Sequence, residues 1–498
     1  MRLGLVWRRV LVGRRAPRRW LSTLRDEVAD KFDLVVIGSG PAGQKCAINA
    51  AKMGKRVAII DRGQMIGGVC VHTGTIPSKT FREAVLYLTG YRQRGFYGRD
   101  HQERDEILFT DILDRVKKVE GWETEIILSQ LKRNNVAVIK GTASFIDEHR
   151  IQVDHDVSVG PDEVVHENAV IEFDHALIAT GTYPARSPLY PFDSKYVFDS
   201  DTILSVTPGR VPKNMIVIGS GVIAMEYASM LNALQGSRVT IVDKAPGFLS
   251  FVDQEILDVL RDSMRSNGAT FRLGEVVTGV DVKDGRVRVT LESNKVVKGD
   301  ALLYAVGRQG NTAGLNLEAV GIPTSSRGLI SVNASYQTSV PHIYAAGDVI
   351  GFPALASVSQ EQGRIASNHM YNIPVDSTHA MFPYGIYTIP EISMVGQNEA
   401  ELSKKKVAYE TGVAKFDELA KGQMLGLKHG FLKVIFCPHT RKLLGVHAIG
   451  ENATEIIHIG QVVLTMGGTI DYFRDHVFNF PSFAEAYRVA ALDGINRL

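Results

Sequence analysis

Two glycine-rich segments, each set between a strand pattern and a helix pattern, constrain the fold of this chain most strongly. The first, Gly38–Gly43 (GSGPAG), follows the apolar run LVVI and precedes a helical pattern and a second apolar run ending at Asp61. Such glycines permit a tight turn, close approach of the backbone to a pyrophosphate and close helix–strand packing, and the final acid accepts hydrogen bonds from a ribose hydroxyl. An isolated glycine motif is weak evidence, but this order of elements predicts a dinucleotide-binding βαβ unit. Its predicted contact residues are Gly38, Gly40, Pro41, Ala42, Gly43, Asp61 and Arg62.

The second segment, Gly219–Ala224 (GSGVIA), repeats this arrangement about 180 residues later in an accepted variant of the motif. Its strand ends at Asp243, which favours a free ribose 2′-hydroxyl and hence NAD, whereas a 2′-phosphate prefers Arg or Lys. Because Lys244 is adjacent, the pair is compatible with a site that accepts both forms. Two such units predict that one chain holds two dinucleotides. The contact residues predicted here are Gly219, Gly221, Val222, Ile223, Ala224, Asp243 and Lys244.

Length and composition indicate a globular protein that works in a reducing compartment. The 498 residues suggest about three domains, and the hydrophobic share of 45% is ordinary for a globular chain. No uninterrupted run of apolar residues is long enough for a membrane span, so none is predicted. The cysteines, Cys46, Cys70 and Cys437, are too few and too scattered for a disulfide framework.

The N-terminal segment differs from the rest of the chain in its charge. Through residue 25 it has eight arginines and no acid, so without these charges the net charge of +2 becomes −6. A mildly acidic body makes nucleic acid an improbable partner. The Arg-rich, acid-free pattern of Met1–Thr23 predicts a mitochondrial transit peptide and a location in the matrix. A basic tail or a misassigned start, with a cytoplasmic location, is the alternative.

The stretch Gly67–Lys79 (GGVCVHTGTIPSK) resembles the active-site helix of the pyridine-nucleotide disulfide oxidoreductases, which include glutathione reductase and lipoamide dehydrogenase. That family has two cysteines, separated by four residues, against one face of a flavin. Cys70 matches the first of them, but Thr75 stands at the second. A hydroxyl cannot form a disulfide, so dithiol relay chemistry is excluded. This replacement is typical of the soluble pyridine nucleotide transhydrogenase branch.

The resemblance implies that FAD occupies the first unit and that NAD(H) and NADP(H) use the second. It places Lys79 beside the flavin N5 region, paired with Glu226, and gives Cys70 either a packing role against the flavin or the role of a reactive thiol. Val222 stands where glutathione reductases have a gating tyrosine, which suggests an open nicotinamide pocket. The predicted catalytic residues are therefore Lys79, Glu226 and Cys70. Further cofactor contacts implied by the resemblance are Gly68, Lys79, Gly141, Ala143, Thr180, Gly181, Gly307, Gly347, Asp348, Leu355 and Ala356.

A second departure from the disulfide reductases lies near the C-terminus. Residues 478–485 (FNFPSFAE) resemble the segment in which those enzymes have a histidine that protonates the leaving thiolate. Phe480 occupies the histidine position, and phenylalanine cannot transfer protons. Glu485, which would orient that histidine, is retained. The second thiol and the acid–base group are therefore both missing, which indicates that the disulfide step has been removed.

Together these features predict an α/β fold with two Rossmann-like dinucleotide-binding domains, for FAD and NAD(P), and an α+β C-terminal dimerisation domain. The implied activity is a ping-pong transfer of hydride from NADPH to NAD⁺ through flavin N5, in a homodimer or higher homo-oligomer. A disulfide reductase, a flavin diaphorase or oxidase, and a non-catalytic nucleotide-binding protein are the alternatives. The predicted divisions are 1–30 (transit peptide and linker), 31–185 (first FAD part), 186–304 (NAD(P) domain), 305–375 (second FAD part) and 376–498 (dimerisation domain).

Overall fold

The structure is a computed structural model that describes residues 30–98, 107–158, 164–205, 211–375 and 381–498. The predicted transit peptide, residues 1–23, lies outside these ranges. Among the described residues, no helix combines the length and the apolar character needed to cross a membrane.

The first glycine motif belongs to a seven-stranded sheet of order β3-β2-β1-β6-β5-β4, with β17 paired to the end of β6. The pairs of β1 with β2 and with β6 are parallel, and β4, β5 and β6 are antiparallel. The strands are β1 (Asp30–Ile37), β2 (Val57–Asp61), β3 (Ala137–Lys140), β4 (Thr142–Asp147), β5 (Arg150–Ser158), β6 (Val164–Ile178) and β17 (Ile343–Ala345). The helices of this part are α1 (Pro41–Lys52), α2 (Gly68–His72), α3 (Thr75–Leu88), α4 (Arg94–Tyr97), α5 (Phe109–Arg133) and α8 (Ala356–Met370).

The second glycine motif belongs to a five-stranded parallel sheet of order β11-β10-β9-β15-β8. Its strands are β8 (Val197–Asp199), β9 (Asn214–Ile218), β10 (Arg238–Asp243), β11 (Thr270–Leu273) and β15 (Ala301–Tyr304), with helices α6 (Val222–Ala233) and α7 (Gln254–Ser266). A smaller antiparallel sheet contains β12 (Val277–Lys283), β13 (Arg286–Leu291) and β14 (Val296–Gly299). The chain enters and leaves this part through the paired strands β7 (Thr182–Pro184) and β16 (Arg308–Gly310).

The C-terminal part is an antiparallel sheet of order β18-β19-β22-β21-β20 with helices packed on it. Its strands are β18 (Tyr384–Ile386), β19 (Ile392–Gly396), β20 (Glu410–Lys415), β21 (Phe431–Phe436) and β22 (Leu443–Ile449). The helices are α9 (Glu399–Lys404), α10 (Ala420–Met424), α11 (Ala453–Thr465), α12 (Asp471–Asp475) and α13 (Ala486–Ile495).

One large apolar cluster joins the three parts. It contains Phe81 of α3, Met225 of α6, Leu257 of α7 and Ile386 of β18, all nearly inaccessible to solvent. Apolar burial is the main driving force for packing of this kind. The three parts therefore share a core, and residues far apart in sequence can meet at their junction.

Candidate functional site

The turn after β1 has the geometry that a bound pyrophosphate requires. Gly38 has φ of +102°, and a Cβ atom there would lie 2.4 Å from the carbonyl oxygen of Ala179. A Cβ atom on Gly43 would lie 2.0 Å from the carbonyl oxygen of Gly38. Only glycine fits both positions, so the N-terminus of α1 lies directly against the turn and can bind an anion.

Asp61 closes this first unit and is held by a residue that sequence reasoning did not select. The Ser39 amide and hydroxyl both donate to Oδ2 of Asp61, each at 2.5 Å. Burial raises the pKa of the Asp61 carboxyl, and the bonds from Ser39 oppose that shift. Serine is unremarkable between two glycines, which explains why the sequence pattern did not identify it.

A cavity of about 540 Å³ opens at this turn, and most of the predicted FAD contacts line it. The predicted residues on its wall are Gly38, Gly40, Pro41, Ala42, Asp61, Arg62, Gly68, Cys70, Gly141, Ala143, Thr180, Gly181, Gly347, Asp348 and Ala356. Other lining residues were not predicted as contacts, among them Met65, Thr75, Asp201, Asn311 and Ser359. Gly43, Lys79, Gly307 and Leu355 were predicted as contacts and lie off this wall. The size and the glycine-lined entrance fit a flavin dinucleotide.

Asp348 lies on the cavity wall and is half-buried. It follows Gly347, whose φ is +83° and whose amide donates to Oε1 of Gln362 at 2.8 Å. Burial raises the pKa of the Asp348 carboxyl, and the positive charge of Arg308 opposes this. Arg308 itself donates to Asp201 at 2.7 Å and to the Thr182 hydroxyl at 2.8 Å, which links the two connecting strands at the cavity.

Cys70 and Thr75 lie on the same cavity wall. Burial raises the pKa of the Cys70 thiol, and the Thr75 side chain only partly opposes this. A thiol held protonated is a poor nucleophile. The burial of Cys70 therefore favours a packing role at the flavin site over the role of a reactive thiol.

Lys79 and Glu226 meet as the resemblance implied. Lys79 Nζ lies 2.7 Å from Glu226 Oε2, and the Glu226 side chain is only 5% exposed. The Tyr387 amide donates to the other carboxylate oxygen at 2.8 Å, and the ammonium lies 4.9 Å from the centre of the Tyr387 ring. Tyr387 comes from the C-terminal part and was not among the predicted site residues. The pair thus joins α3, α6 and the strand region after β18.

The second unit repeats the backbone geometry of the first. Gly219 has φ of +110°, with a Cβ position 2.5 Å from the carbonyl oxygen of Ala305. The Ser220 hydroxyl donates to Asp243 Oδ2, and the Ala245 amide donates to Asp243 Oδ1, both at 2.8 Å.

The remaining predicted contacts of the second unit lie close to its turn. Gly221 precedes α6, Val222 and Ile223 are half-buried, and Ala224 is fully buried. Lys244 is exposed next to the acid, and Gly307, with φ of +98°, stands between β15 and β16. The arrangement presents a helix N-terminus and an anchored acid to solvent, which suits a nucleotide that binds and dissociates.

The C-terminal departure from the disulfide reductases is visible in the structure. The Phe480 side chain is 71% exposed. Oε2 of Glu485 is buried and makes no hydrogen bond within the described part of the chain. Because residue 480 is phenylalanine, Glu485 has no imidazole to orient there, and proton transfer from that position is excluded.

Comparison with known proteins supports this assembly of sites. The family model described as pyridine nucleotide-disulphide oxidoreductase matches residues 32–363, and the dimerisation domain of that family matches residues 382–491. Proteins named soluble pyridine nucleotide transhydrogenase are 48% identical in Mycobacterium bovis and 43% identical in Yersinia enterocolitica. Each alignment covers 94% of this chain and 98% of the relative.

Solved structures show the same fold at lower identity. LpdA from Mycobacterium tuberculosis superimposes with a TM-score of 0.82 at 28% identity, over 93% of this chain and 99% of that one. The HOCl-induced flavoprotein disulfide reductase RclA from Escherichia coli gives 0.81 at 27% identity, over 92% and 99%. The predicted fold class, two Rossmann-like domains and a C-terminal dimerisation domain, is confirmed. The chain belongs to the pyridine nucleotide-disulphide oxidoreductase family, in the group of its relatives named soluble pyridine nucleotide transhydrogenase.

Proposed function

We propose that this protein is an FAD-dependent soluble transhydrogenase that moves hydride between NADPH and NAD⁺. The observation that carries the proposal is the pair on the cavity wall, Cys70 and Thr75, in which a hydroxyl stands where the disulfide chemistry of the family needs a second thiol. The family membership, with FAD and nicotinamide nucleotides as its cofactors, supports it.

In this proposal the protein binds and orients, and the cofactors carry the chemistry. FAD, when bound, supplies an acceptor and donor of hydride. The glycine turns at Gly38 and Gly219 direct helix N-termini at the two pyrophosphates, while Asp61 and Asp243 hold the riboses. Lys79, fixed by Glu226 and Tyr387, places a positive charge at the junction of the two units.

The two nicotinamide nucleotides are proposed to use the second unit in turn, which is a ping-pong scheme. Hydride transfer between two nicotinamides requires no proton relay, so a phenylalanine at position 480 is compatible with turnover. The direction of the reaction then depends on the ratios of the reduced and oxidised nucleotides.

A comparison of electron acceptors tests the activity. The FAD-loaded protein is mixed anaerobically with NADPH, and then with thio-NAD⁺, lipoamide or a quinone. We expect rapid reduction of thio-NAD⁺ and none of lipoamide, and we expect the Cys70→Ser variant to keep most of the rate. Turnover of lipoamide, or of the quinone alone, would replace the proposal with a disulfide reductase or a diaphorase.

We propose further that the protein forms a homodimer or a higher homo-oligomer. The match of residues 382–491 to a dimerisation domain supports this. Large apolar side chains of that region also face solvent in the single chain, among them Met466 (81% exposed) and Val477 (88% exposed). Light scattering on the purified protein would give twice the chain mass or more, and a monomer at micromolar concentration would contradict the proposal.

The mitochondrial matrix is the proposed location, and the Arg-rich, acid-free residues 1–23 are its only support. The relatives named above are bacterial and do not support it. A fluorescent fusion of the full chain should enter mitochondria, whereas a fusion that begins at residue 26 should stay in the cytoplasm. Equal distribution of the two fusions would contradict a targeting role.

A further inference from the structure

The loop between β10 and α7, residues 244–253, is fastened to the turn of the second glycine motif. Its Ala245 amide donates to Asp243 Oδ1 at 2.8 Å. The Ser220 hydroxyl lies 3.3 Å from the carbonyl oxygen of Gly247, and the Leu249 amide donates to the carbonyl oxygen of Ser220, also at 3.3 Å. Ser220 also bonds to Asp243. The position of the predicted ribose-binding acid therefore depends on the conformation of this loop.

The loop does not hold this conformation by local preference alone. Leu249 has φ of +45° and is only 4% exposed. A branched, bulky residue in the left-handed region is strained, and such strain persists only where the surroundings fix it. The loop must therefore be anchored by other parts of the molecule.

The C-terminal part supplies two anchors at the far end of the loop. Asn398 Nδ2 donates to the carbonyl oxygen of Phe251 at 3.0 Å. Lys433 Nζ, on β21, donates to Asp253 Oδ2 at 3.0 Å, while Asp253 Oδ1 caps α7 by accepting from the Glu255 amide at 3.1 Å. The second anchor is thus a charged bond to the residue at which the loop ends and α7 begins.

Lys433 is suited to a fixed, charged contact. Its side chain is 1% exposed, and its ammonium also contacts Glu255 at 2.8 Å and Glu399. Burial disfavours the ammonium form, but the bonds to Glu255, Glu399 and Asp253 outweigh it and raise the pKa of Lys433. Breaking the bonds of a buried amine to its carboxylate partners is costly, because it leaves buried charges uncompensated.

We infer that Lys433 is a positioning residue for the nicotinamide nucleotide. From the C-terminal part it holds Asp253 and the 244–253 loop, and through the bonds of that loop to Ser220 it fixes Asp243 where the adenosine ribose binds. This inference rests on the proposed function only in that it takes the second unit as the nicotinamide nucleotide site. Lys433 acts through the loop and touches no reacting atom.

Lys433→Met in the FAD-loaded full chain tests the inference, with Lys415→Met as the matched control. Lys415 lies on the neighbouring strand β20, is 63% exposed and pairs with Glu418 at the surface. We expect the Kd values for NADP⁺ and NAD⁺, measured by calorimetry, to rise about tenfold in Lys433→Met because preorganisation is lost. Flavin content, and the limiting rate of flavin reduction at saturating NADPH, should stay within about twofold of wild type. The control should match wild type in every measurement.

Deuterium exchange of residues 244–253 gives an independent readout that needs no turnover. Exchange in this segment should be faster in Lys433→Met than in Lys415→Met, while exchange around Gly38 should be unchanged. If Lys433→Met does not accumulate as folded protein, Glu399→Gln removes one of the three carboxylate partners and should shift both measurements in the same direction. Unchanged Kd and unchanged exchange in a folded variant would overturn the inference. A wild-type protein that binds nucleotide without transferring hydride would instead contradict the proposed function alone.

Discussion

The two glycine motifs share one plan and differ in how they enclose a nucleotide. In both, a left-handed glycine, a serine, a second glycine and a terminal aspartate occupy equivalent places. Ser39 directs two donors at one oxygen of Asp61 in a cavity of about 540 Å³ that distant segments complete. Asp243 accepts one bond from Ser220 and one from Ala245, each at a different oxygen. Both acids are followed by an exposed basic residue, Arg62 in the first unit and Lys244 in the second.

This difference separates a resident cofactor from a substrate. A buried site with many walls retains its ligand, because release requires all those contacts to be lost together. An open site whose acid is fixed in advance binds quickly and releases, as a ping-pong scheme requires. The Lys79–Glu226 pair connects the two units, so the site that retains its ligand and the site that releases it meet at one junction.

The largest effect should come from exchanging the last residue of the two motifs. Gly43→Ala would place a Cβ atom 2.0 Å from the backbone oxygen of Gly38, which cannot move aside. We expect loss of FAD and a fall of about 3 kcal/mol in the free energy of unfolding. The reciprocal change, Ala224→Gly, adds no clash and should cost about 1 kcal/mol. Flavin absorbance per chain and urea unfolding would measure both effects, and a Gly43→Ala protein with full flavin content would show that the first turn does not require glycine.

Next in size is Lys79→Met, which removes the link between the two units. Glu226 would be left as a buried carboxylate with the Tyr387 amide as its remaining partner, at a cost of about 3 kcal/mol. Flavin reduction by NADPH should slow by about 100-fold in stopped-flow measurements, because a placed positive charge is lost.

The exposed pair of Lys31 and Asp174 gives the control for that variant, since both side chains are about half exposed or more. Lys31→Met should change neither stability nor rate measurably. Equal effects of the two substitutions would show that the Lys79–Glu226 pair has no special role at the junction.

A smaller effect is expected from Lys244→Ala in the second unit. If Lys244 contacts a 2′-phosphate, its loss should weaken NADP⁺ binding about tenfold and leave NAD⁺ binding nearly unchanged. Asp243→Asn should weaken NAD⁺ binding more than NADP⁺ binding. Calorimetric Kd values for the two nucleotides give the ratio directly, and a ratio unaffected by either change would assign the discrimination to other residues.

The smallest expected effect is a pH dependence of stability that arises from the burial of Asp348 at the first site. Burial raises the pKa of Asp348 in the folded protein, so the folded state binds this proton more tightly than the unfolded state. The resulting stabilisation is complete below the ordinary aspartate pKa of about 4 and is lost as pH rises through the raised value. FAD-free Asp348→Asn should therefore gain stability over FAD-free wild type as pH increases from about 4 to 7. Urea unfolding across that range measures the difference in stability between the two proteins. A difference that stays constant with pH would contradict the prediction.

The local parts of both sites could be predicted from the pattern of residues, whereas contacts between distant segments were predicted from the family resemblance or not at all. Gly38, Gly219, Asp61 and Asp243 lie within short segments whose order of strand, turn and helix dictates their position. The meeting of Lys79 with Glu226, 147 residues apart, was predicted only from the family resemblance.

Tyr387 and Lys433 were not predicted from the sequence, and the reason is physical. Each reaches its contacts through the packing of the C-terminal sheet on the other parts, and no local pattern records that packing. The sequence of β21 does not indicate a role for its lysine, because the three carboxylate neighbours come from two other segments.

We expect the first site to hold one redox centre, the flavin, with no disulfide beside it. An anaerobic titration with NADPH, followed by addition of NAD⁺, tests this most directly. We expect uptake of about two electrons per chain and full return of the oxidised flavin spectrum with NAD⁺. Uptake of about four electrons, or a reduced flavin that NAD⁺ leaves unchanged, would contradict it.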